Sequence, residues 1–251
     1  MHPLLESLRG GLIVSVQVHR PDDPLRNPDA MARMAGAAVA GGASAIRCGG
    51  IGGPDDVRAI SAAVDVPVIG LWKDGREGVY ITPTVRHVHE VADAGAHIIA
   101  VDGTRRPRPD GRSLADSIAA VHERGLVAMA DVATRADALA AVAAGADVVA
   151  TTLSGYTPDS PPGDEGPDLD LVCVLASELP VPVVAEGRYH RPEHAAAALA
   201  AGAHAVVVGT AITSPGWLTG QFRNALPAVP AAPGRHASGS VRHASGSEAG
   251  A

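Results

Sequence analysis

AGAHIIAVD (Ala94–Asp102), AGADVVATT (Ala144–Thr152) and AGAHAVVVG (Ala201–Gly209) are three copies of one junction, and GGASAIR (Gly41–Arg47) is a fourth. In each, a segment apolar at helical spacing ends at a glycine, and a run of small and β-branched residues begins at once. Glycine closes a helix in the left-handed conformation that other residues resist, so these strings read as helix ends feeding strands. Extending the pattern both ways predicts strands at Leu12–Val18, Ala45–Cys48, Val66–Lys73, His97–Gly103, Val127–Val132, Asp147–Leu153, Val181–Arg188 and Ala205–Ile212. Helices fill the intervals at Asp29–Ala40, Asp55–Val64, Thr84–Ala94, Leu114–Arg124, Arg135–Ala144, Leu169–Leu179, Pro192–Ala201 and Pro215–Ala225. Pro54, Pro192 and Pro215 fall at helix starts, where a missing N–H goes unnoticed. VPVIGLW (Val66–Trp72) and VPVVAEG (Val181–Gly187) are apolar on both faces, as buried parallel strands must be. Eight such units predict an α/β fold, a closed (β/α)8 TIM barrel of the phosphate-binding type. An open doubly wound sheet is the alternative, with fewer strands at this length.

The barrel is expected over residues 1–226. The stretch 227–251 is built of Ala, Pro, Gly, Ser and His and repeats RHASGS at Arg235–Ser240 and Arg242–Ser247. Such low complexity cannot bury a core, so a disordered tail is expected there, with His236 and His243 solvated. A hydrophobic fraction of 46% with only 2% aromatic residues requires a core of Ala, Val, Ile and Leu. A net charge of −7 offers no basic surface for nucleic acid, which is excluded as a partner. Cys48 and Cys173 form no disulfide framework and no metal spacing, the histidines are scattered, and no metal is expected. The N-terminus has no signal-peptide pattern and no apolar run approaches about 18 residues, so a soluble cytoplasmic protein without a membrane span is expected.

In a barrel of this kind, chemistry sits at the C-terminal ends of the strands. Those ends carry Gln17, Arg47, Lys73, Asp102, Asp131, Thr151 and Thr152, Glu186 and Arg188, and Gly209 and Thr210, in strand order. Lys73 is the only lysine among 20 Lys and Arg residues. A guanidinium stays protonated at any ordinary pH, whereas an amine can be tuned to take and return a proton or to form an imine. Lys73 ends an apolar strand, which sets it apart from a surface lysine. Strands three and seven stand four apart in a ring of eight, so Lys73 and Glu186 face each other across the mouth. An amine and a carboxyl so placed can approach one carbon from opposite faces, the arrangement that inversion of a C–H centre needs. Gln17 and Asp131 are likewise opposed and suited to grip polar groups of a substrate, and Arg47 supplies a cation for a carbonyl oxygen that becomes anionic. Gly187 and Gly209 permit close backbone approach to a phosphate, with the Thr210 hydroxyl and the Arg188 charge beside them. On the residues alone, two other readings stay open: a Schiff-base lyase or synthase using Lys73 as nucleophile, and a non-catalytic sugar-phosphate sensor.

GGLIVSVQ (Gly10–Gln17), GGASAIR, VPVIGLWK (Val66–Lys73), VYITPT (Val79–Thr84), TTLSGYT (Thr151–Thr157), VPVVAEGR (Val181–Arg188) and AGAHAVVVGTAIT (Ala201–Thr213) come in the same order as in the N-acylglucosamine-6-phosphate 2-epimerases. These are also called N-acetylmannosamine-6-phosphate epimerases, of the bacterial sialic-acid catabolic route. The chain resembles that family from about Gly10 to Phe222. The resemblance implies a (β/α)8 barrel that interconverts N-acetylmannosamine 6-phosphate and N-acetylglucosamine 6-phosphate with no organic cofactor. It implies Lys73 and Glu186 as the proton-transfer residues and Gln17, Arg47 and Asp131 as substrate contacts. The expected partner is a small sugar phosphate, and the expected assembly a homodimer. Two places depart from the family pattern. Ser214 stands where the family has Arg in the string AITRP, and CGGIGGPDD after Arg47 is Gly-rich and longer than usual.

Overall fold

The computed structural model describes residues 2–161, 163 and 166–227. Of the stretch expected to be a tail, only Pro227 falls within that set; 228–251, with His236 and His243, lies outside the described residues.

Eight parallel strands close a ring in sequence order: β1 (Leu12–Val16), β2 (Ala45–Cys48), β3 (Val68–Gly70), β4 (Ile98–Asp102), β5 (Val127–Asp131), β6 (Val148–Ala150), β7 (Val183–Glu186) and β8 (Ala205–Val208). The ring closes where Leu12–Val14 of β1 pair with Val206–Val208 of β8. The eight expected helices are α2 (Pro28–Ala40), α3 (Pro54–Ser61), α4 (Val85–Asp93), α5 (Leu114–Glu123), α6 (Arg135–Ala143), α7 (Leu169–Glu178), α8 (Pro192–Ala200) and α10 (Pro215–Ala225). Two more α-helices, α1 (Pro3–Glu6) and α9 (Thr210–Thr213), and a 3-10 turn at Gly50–Gly52 were not expected from sequence. The four junction glycines behave as read: Gly42, Gly95, Gly145 and Gly202 have φ between 97° and 102°. Helix starts are set by side-chain caps, with Asn27, Thr134 and Asp168 each accepting a backbone N–H and Ser113 closing a capping box with Asp116.

Alternation along each strand sorts the core into two shells. Ile13, Ala45, Ile69, Ile98, Val127, Val148, Val184 and Ala205 point inward, and their neighbours Val14, Ile46, Val68, Ile99, Ala128, Val149 and Val183 pack outward against the helices. The short α1 lies at the start of the barrel, where Leu5 and Leu8 join the inner shell. His204 Nε2 meets the Leu5 carbonyl oxygen at 2.6 Å and fastens that plug. Apolar inner residues thus fill the N-terminal half, so the polar inward positions that follow can only gather at the other end.

Every strand except β2 is shorter than expected, and in β3, β7 and β8 the physical reason is plain. Pro67 and Pro182 have no N–H to give, and β3 and β7 begin at the next residue. β3 also ends at Gly70, so Lys73 lies three residues beyond it, in an isolated antiparallel bridge to Ile81. β7 ends at Glu186, and Gly187 and Arg188 turn away with φ of 112° and 61°. Thr210–Ile212, expected as the end of strand eight, instead forms α9 with Thr213, because Thr213 N–H returns to the Gly209 carbonyl at 2.9 Å and Thr213 Oγ1 donates to the Ser15 carbonyl at 2.8 Å.

Candidate active site

The inward side chains at the C-terminal strand ends surround a cavity of about 390 Å³. Its wall includes Gln17, Arg47, Lys73, Glu186, Gly187, Arg188, Gly209 and Thr210, eight of the nine residues expected from sequence. The ninth, Asp131, is fully buried beneath Arg47 and does not form part of the wall.

Arg47 organises the floor. It is 1% exposed, and its Nη2 meets Asp131 Oδ2 at 2.6 Å while Nη1 lies 3.2 Å from Met129 Sδ. Its Nε lies 3.2 Å from Glu186 Oε1, close enough for charge pairing, but it is not aligned to donate a hydrogen bond there. Burial acts against the guanidinium charge, yet Asp131 and Glu186 together hold it protonated above its ordinary range. Glu186 is 13% exposed. Burial pushes its carboxyl above the usual range, opposed by Arg47 and assisted by the charge of Asp131. Two consecutive threonines after β6 hold it. Thr151 Oγ1 donates to the Glu186 carbonyl at 2.9 Å and accepts the Glu186 N–H at 3.0 Å, fixing the backbone. Thr152 Oγ1 lies 3.0 Å from Glu186 Oε2 and 2.8 Å from Asp131 Oδ1.

Lys73 enters from the opposite wall. The Gly-rich segment after β2 explains how it is held. Gly49 has φ of 108°, and a Cβ there would lie 1.8 Å from the Leu71 carbonyl oxygen, so only glycine lets the two backbones approach. That approach brings the Gly50 carbonyl to the Lys73 N–H at 2.7 Å. The other side of the segment is fixed by mutual bonds between Trp72 and Thr82 and by the Asp74 N–H donating to the Tyr80 carbonyl. Burial pushes the Lys73 amine below its ordinary range, and the Arg47 charge adds to this against the pull of Glu186 and Asp131. The amine falls and the carboxyl rises, so their proton affinities converge across one cavity.

Gln17 is 7% exposed and donates Nε2 to Ser15 Oγ at 2.8 Å. Its Oε1 is buried with no hydrogen-bond partner among the described residues, an acceptor left for something that enters the cavity. At the far end, Gly187 and Gly209 present bare backbone to the cavity beside Thr210. Arg188 lines the same end, but its Nε and Nη1 donate to the carbonyls of Gly166 and Ser154, both at 2.7 Å. It thereby ties the loop after β6 over the mouth, with its guanidinium 5.4 Å from the centre of the Tyr156 ring. Asp102 stays out of the wall and accepts from the N–H and hydroxyl of Thr104 and from Arg106.

Sequence reasoning assigned no role to Ser15, Thr152, His190 or the tyrosines. A compositional signal was available for the last of these: the chain has three tyrosines, and all three, Tyr80, Tyr156 and Tyr189, line this cavity.

Comparisons with known proteins place the chain among its relatives. A family profile described as "Putative N-acetylmannosamine-6-phosphate epimerase" matches residues 31–228. A Cutibacterium acnes protein named "Putative N-acetylmannosamine-6-phosphate 2-epimerase" is 51% identical over 226 residues, covering 89% of this chain and 96% of its own. A Corynebacterium glutamicum protein of the same name is 48% identical over 227 residues, with the same coverage of both chains. Among solved structures, the N-acetylmannosamine-6-phosphate 2-epimerase from Clostridium perfringens matches with a TM-score of 0.85 and 40% identity, over 90% of this chain and 97% of that one.

Proposed function

Given that the chain belongs to the N-acetylmannosamine-6-phosphate epimerase family, we propose that Lys73 and Glu186 exchange a proton with C2 of the sugar from opposite faces. The protein is a carbohydrate epimerase that interconverts N-acetylmannosamine 6-phosphate and N-acetylglucosamine 6-phosphate. In the open-chain sugar the C2 hydrogen is α to the aldehyde, so its removal leaves an enolate whose oxygen needs a cation or donor nearby. Arg47 is that cation.

The observation that carries this reading is the charge balance of the floor. Arg47 and Asp131 form a buried ion pair of zero net charge. Above it, one proton is shared between Lys73 and Glu186: either both are neutral, or Lys73 is an ammonium and Glu186 a carboxylate. Both states are electrically neutral as a cluster, so neither leaves an uncompensated buried charge. In the first, Lys73 takes the C2 proton and Glu186 delivers one from the other face. The second state, which results, runs the reverse conversion with the roles exchanged. Gln17 Oε1 accepts from a hydroxyl or the acyl amide N–H. The phosphate sits against the backbone N–H groups of Gly187, Arg188, Gly209 and Thr210, with Arg188 supplying charge in place of an arginine at position 214. A role for Asp131 as a direct substrate contact needs movement of Arg47, and support of Arg47 is the part its position favours.

Barrel residues through Leu226 suffice for this activity, the protein works in the cytoplasm with a sugar phosphate as its partner, and the assembly is a homodimer, which light scattering measures. The test of the chemistry is incubation with N-acetylmannosamine 6-phosphate in heavy water. Deuterium is expected at C2 with the wild type, with incorporation reduced about a thousandfold in Lys73→Ala. Glu186→Gln is expected to exchange C2 hydrogen without inverting the centre. Inversion at the wild-type rate in either variant would remove the two-sided mechanism.

A further inference from the structure

Thr152 carries one hydroxyl proton and faces two carboxylates. Its Oγ1 lies 2.8 Å from Asp131 Oδ1 and 3.0 Å from Glu186 Oε2, both within hydrogen-bond reach. A hydroxyl has one O–H to donate and lone pairs with which to accept, so it cannot give a full bond to both carboxylates at once. We propose that Thr152 is a positioning residue whose hydroxyl turns between Asp131 and Glu186, so that Glu186 keeps a hydrogen bond both with and without its proton, the stronger one to the carboxylate.

The two settings follow from donor and acceptor counting. When Glu186 is protonated, its Oε2–H donates to a lone pair of Thr152, and the Thr152 O–H points to Asp131. When Glu186 has given its proton up, the Thr152 O–H turns to Oε2, and Asp131 keeps the Arg47 Nη2 at 2.6 Å. No atom heavier than hydrogen has to move. A residue that only donates would favour the carboxylate, and one that only accepts would favour the acid. The other charged groups that face Glu186 are fixed in sign: Arg47 from β2 favours the carboxylate and Asp131 from β5 favours the acid, while Lys73 from the segment after β3 counts only when charged. Among the described residues, Thr152 is the one hydroxyl bonded to the Glu186 carboxyl, and it answers to both states. Thr151 cannot substitute, because its hydroxyl is committed to the backbone of Glu186.

This inference rests on the epimerase reading above, and its test separates the two. Thr152→Val replaces the hydroxyl with a methyl of the same shape, and Thr152→Ser restores the hydroxyl. In Thr152→Val, kcat is expected to fall about 10- to 100-fold with KM changed less than about threefold, since the bond acts on the reacting carboxyl and not on substrate binding. The limb of the kcat/KM profile that reports the carboxyl is expected to move up by about one pH unit, because losing a charge-assisted bond hurts the ionised form more. Thr152→Ser is expected to recover both the rate and the limb. Two outcomes overturn the proposal: a Thr152→Val profile that superimposes in shape on the wild type, or a folded Thr152→Ser that behaves as Thr152→Val. If the wild type itself exchanges no hydrogen at C2, the epimerase reading falls instead.

Discussion

Lys73 is confined from both flanks by backbone bonds, and its amine projects into a cavity that also holds Arg47. Burial, and after it the permanent charge of the neighbouring guanidinium, makes the protonated amine costly there. An arginine at position 73 would fill similar space with a charge it cannot surrender. Lys73→Arg is therefore expected to fold with a lowered melting temperature, because it carries that penalty at every pH, and to lose about a thousandfold in kcat. Steady-state rates on matched, thermally characterised samples check this. The chemical types at this scale were legible in the sequence. A solitary lysine, a glutamate at the seventh strand end and an arginine at the second all reached the cavity wall. Their pairing was not legible, because Asp131 and Gln17 looked equivalent as opposed polar groups. Only coordinates show that Asp131 supports the guanidinium while Gln17 faces the open space. Which threonine of the Thr151–Thr152 pair holds backbone and which holds carboxylate depends on strand stagger, and that is not encoded in any spacing.

At the scale of elements, the turn after β2 shows how a loop can determine the position of a side chain it does not contain. The approach of Gly49 to the Leu71 carbonyl requires the absence of a side chain, and the φ at that residue requires glycine independently. Gly49→Ala is expected to destabilise the fold by about 3 kcal/mol or more and to reduce activity beyond the loss of folded protein, because the backbone of Lys73 is displaced with its partner. Gly42→Ala supplies the control. Its φ is 99° but nothing lies within 4 Å of a Cβ there, so only the conformational strain of about 1–2 kcal/mol is expected, with activity per folded molecule retained. Urea titrations of both variants, with activity normalised to the folded fraction, distinguish them. The Gly-rich run was visible in the sequence as a departure, but its meaning was not. Its role depends on contact with residues some twenty positions later. The β8 boundary misled for a related reason: β-branched residues favour strands locally, while the Gly209 carbonyl and Ser15 decide the matter from outside.

For the whole molecule, the ring of eight parallel strands was legible because the helix-to-strand junction repeats and each copy has the same left-handed glycine. Repetition at that level survives errors of up to four residues at individual strand ends. Every strand pair of the barrel lies between Leu12 and Val208, and the helices that cover it end at Ala225. Among the described residues, no helix is long and apolar enough to cross a membrane. A chain ending at Pro227 is accordingly expected to keep the kcat/KM of the full-length protein within about twofold and its melting temperature within about 2 °C. Calorimetry and rate measurements on the shortened chain decide whether the low-complexity stretch contributes to either.

The placement of the three tyrosines has an optical consequence. The other strong near-ultraviolet absorbers are two tryptophans: Trp72 adjoins Lys73 in the chain, and Trp217 stacks with its ring centre 4.7 Å from that of His190, another cavity residue. The tyrosines therefore all border one hollow with Trp217 beside it, whereas Trp72 packs outward, with its ring centre 4.5 Å from that of His87. The tyrosine part of the absorbance and circular dichroism in that range thus belongs wholly to the site and is recorded without a label.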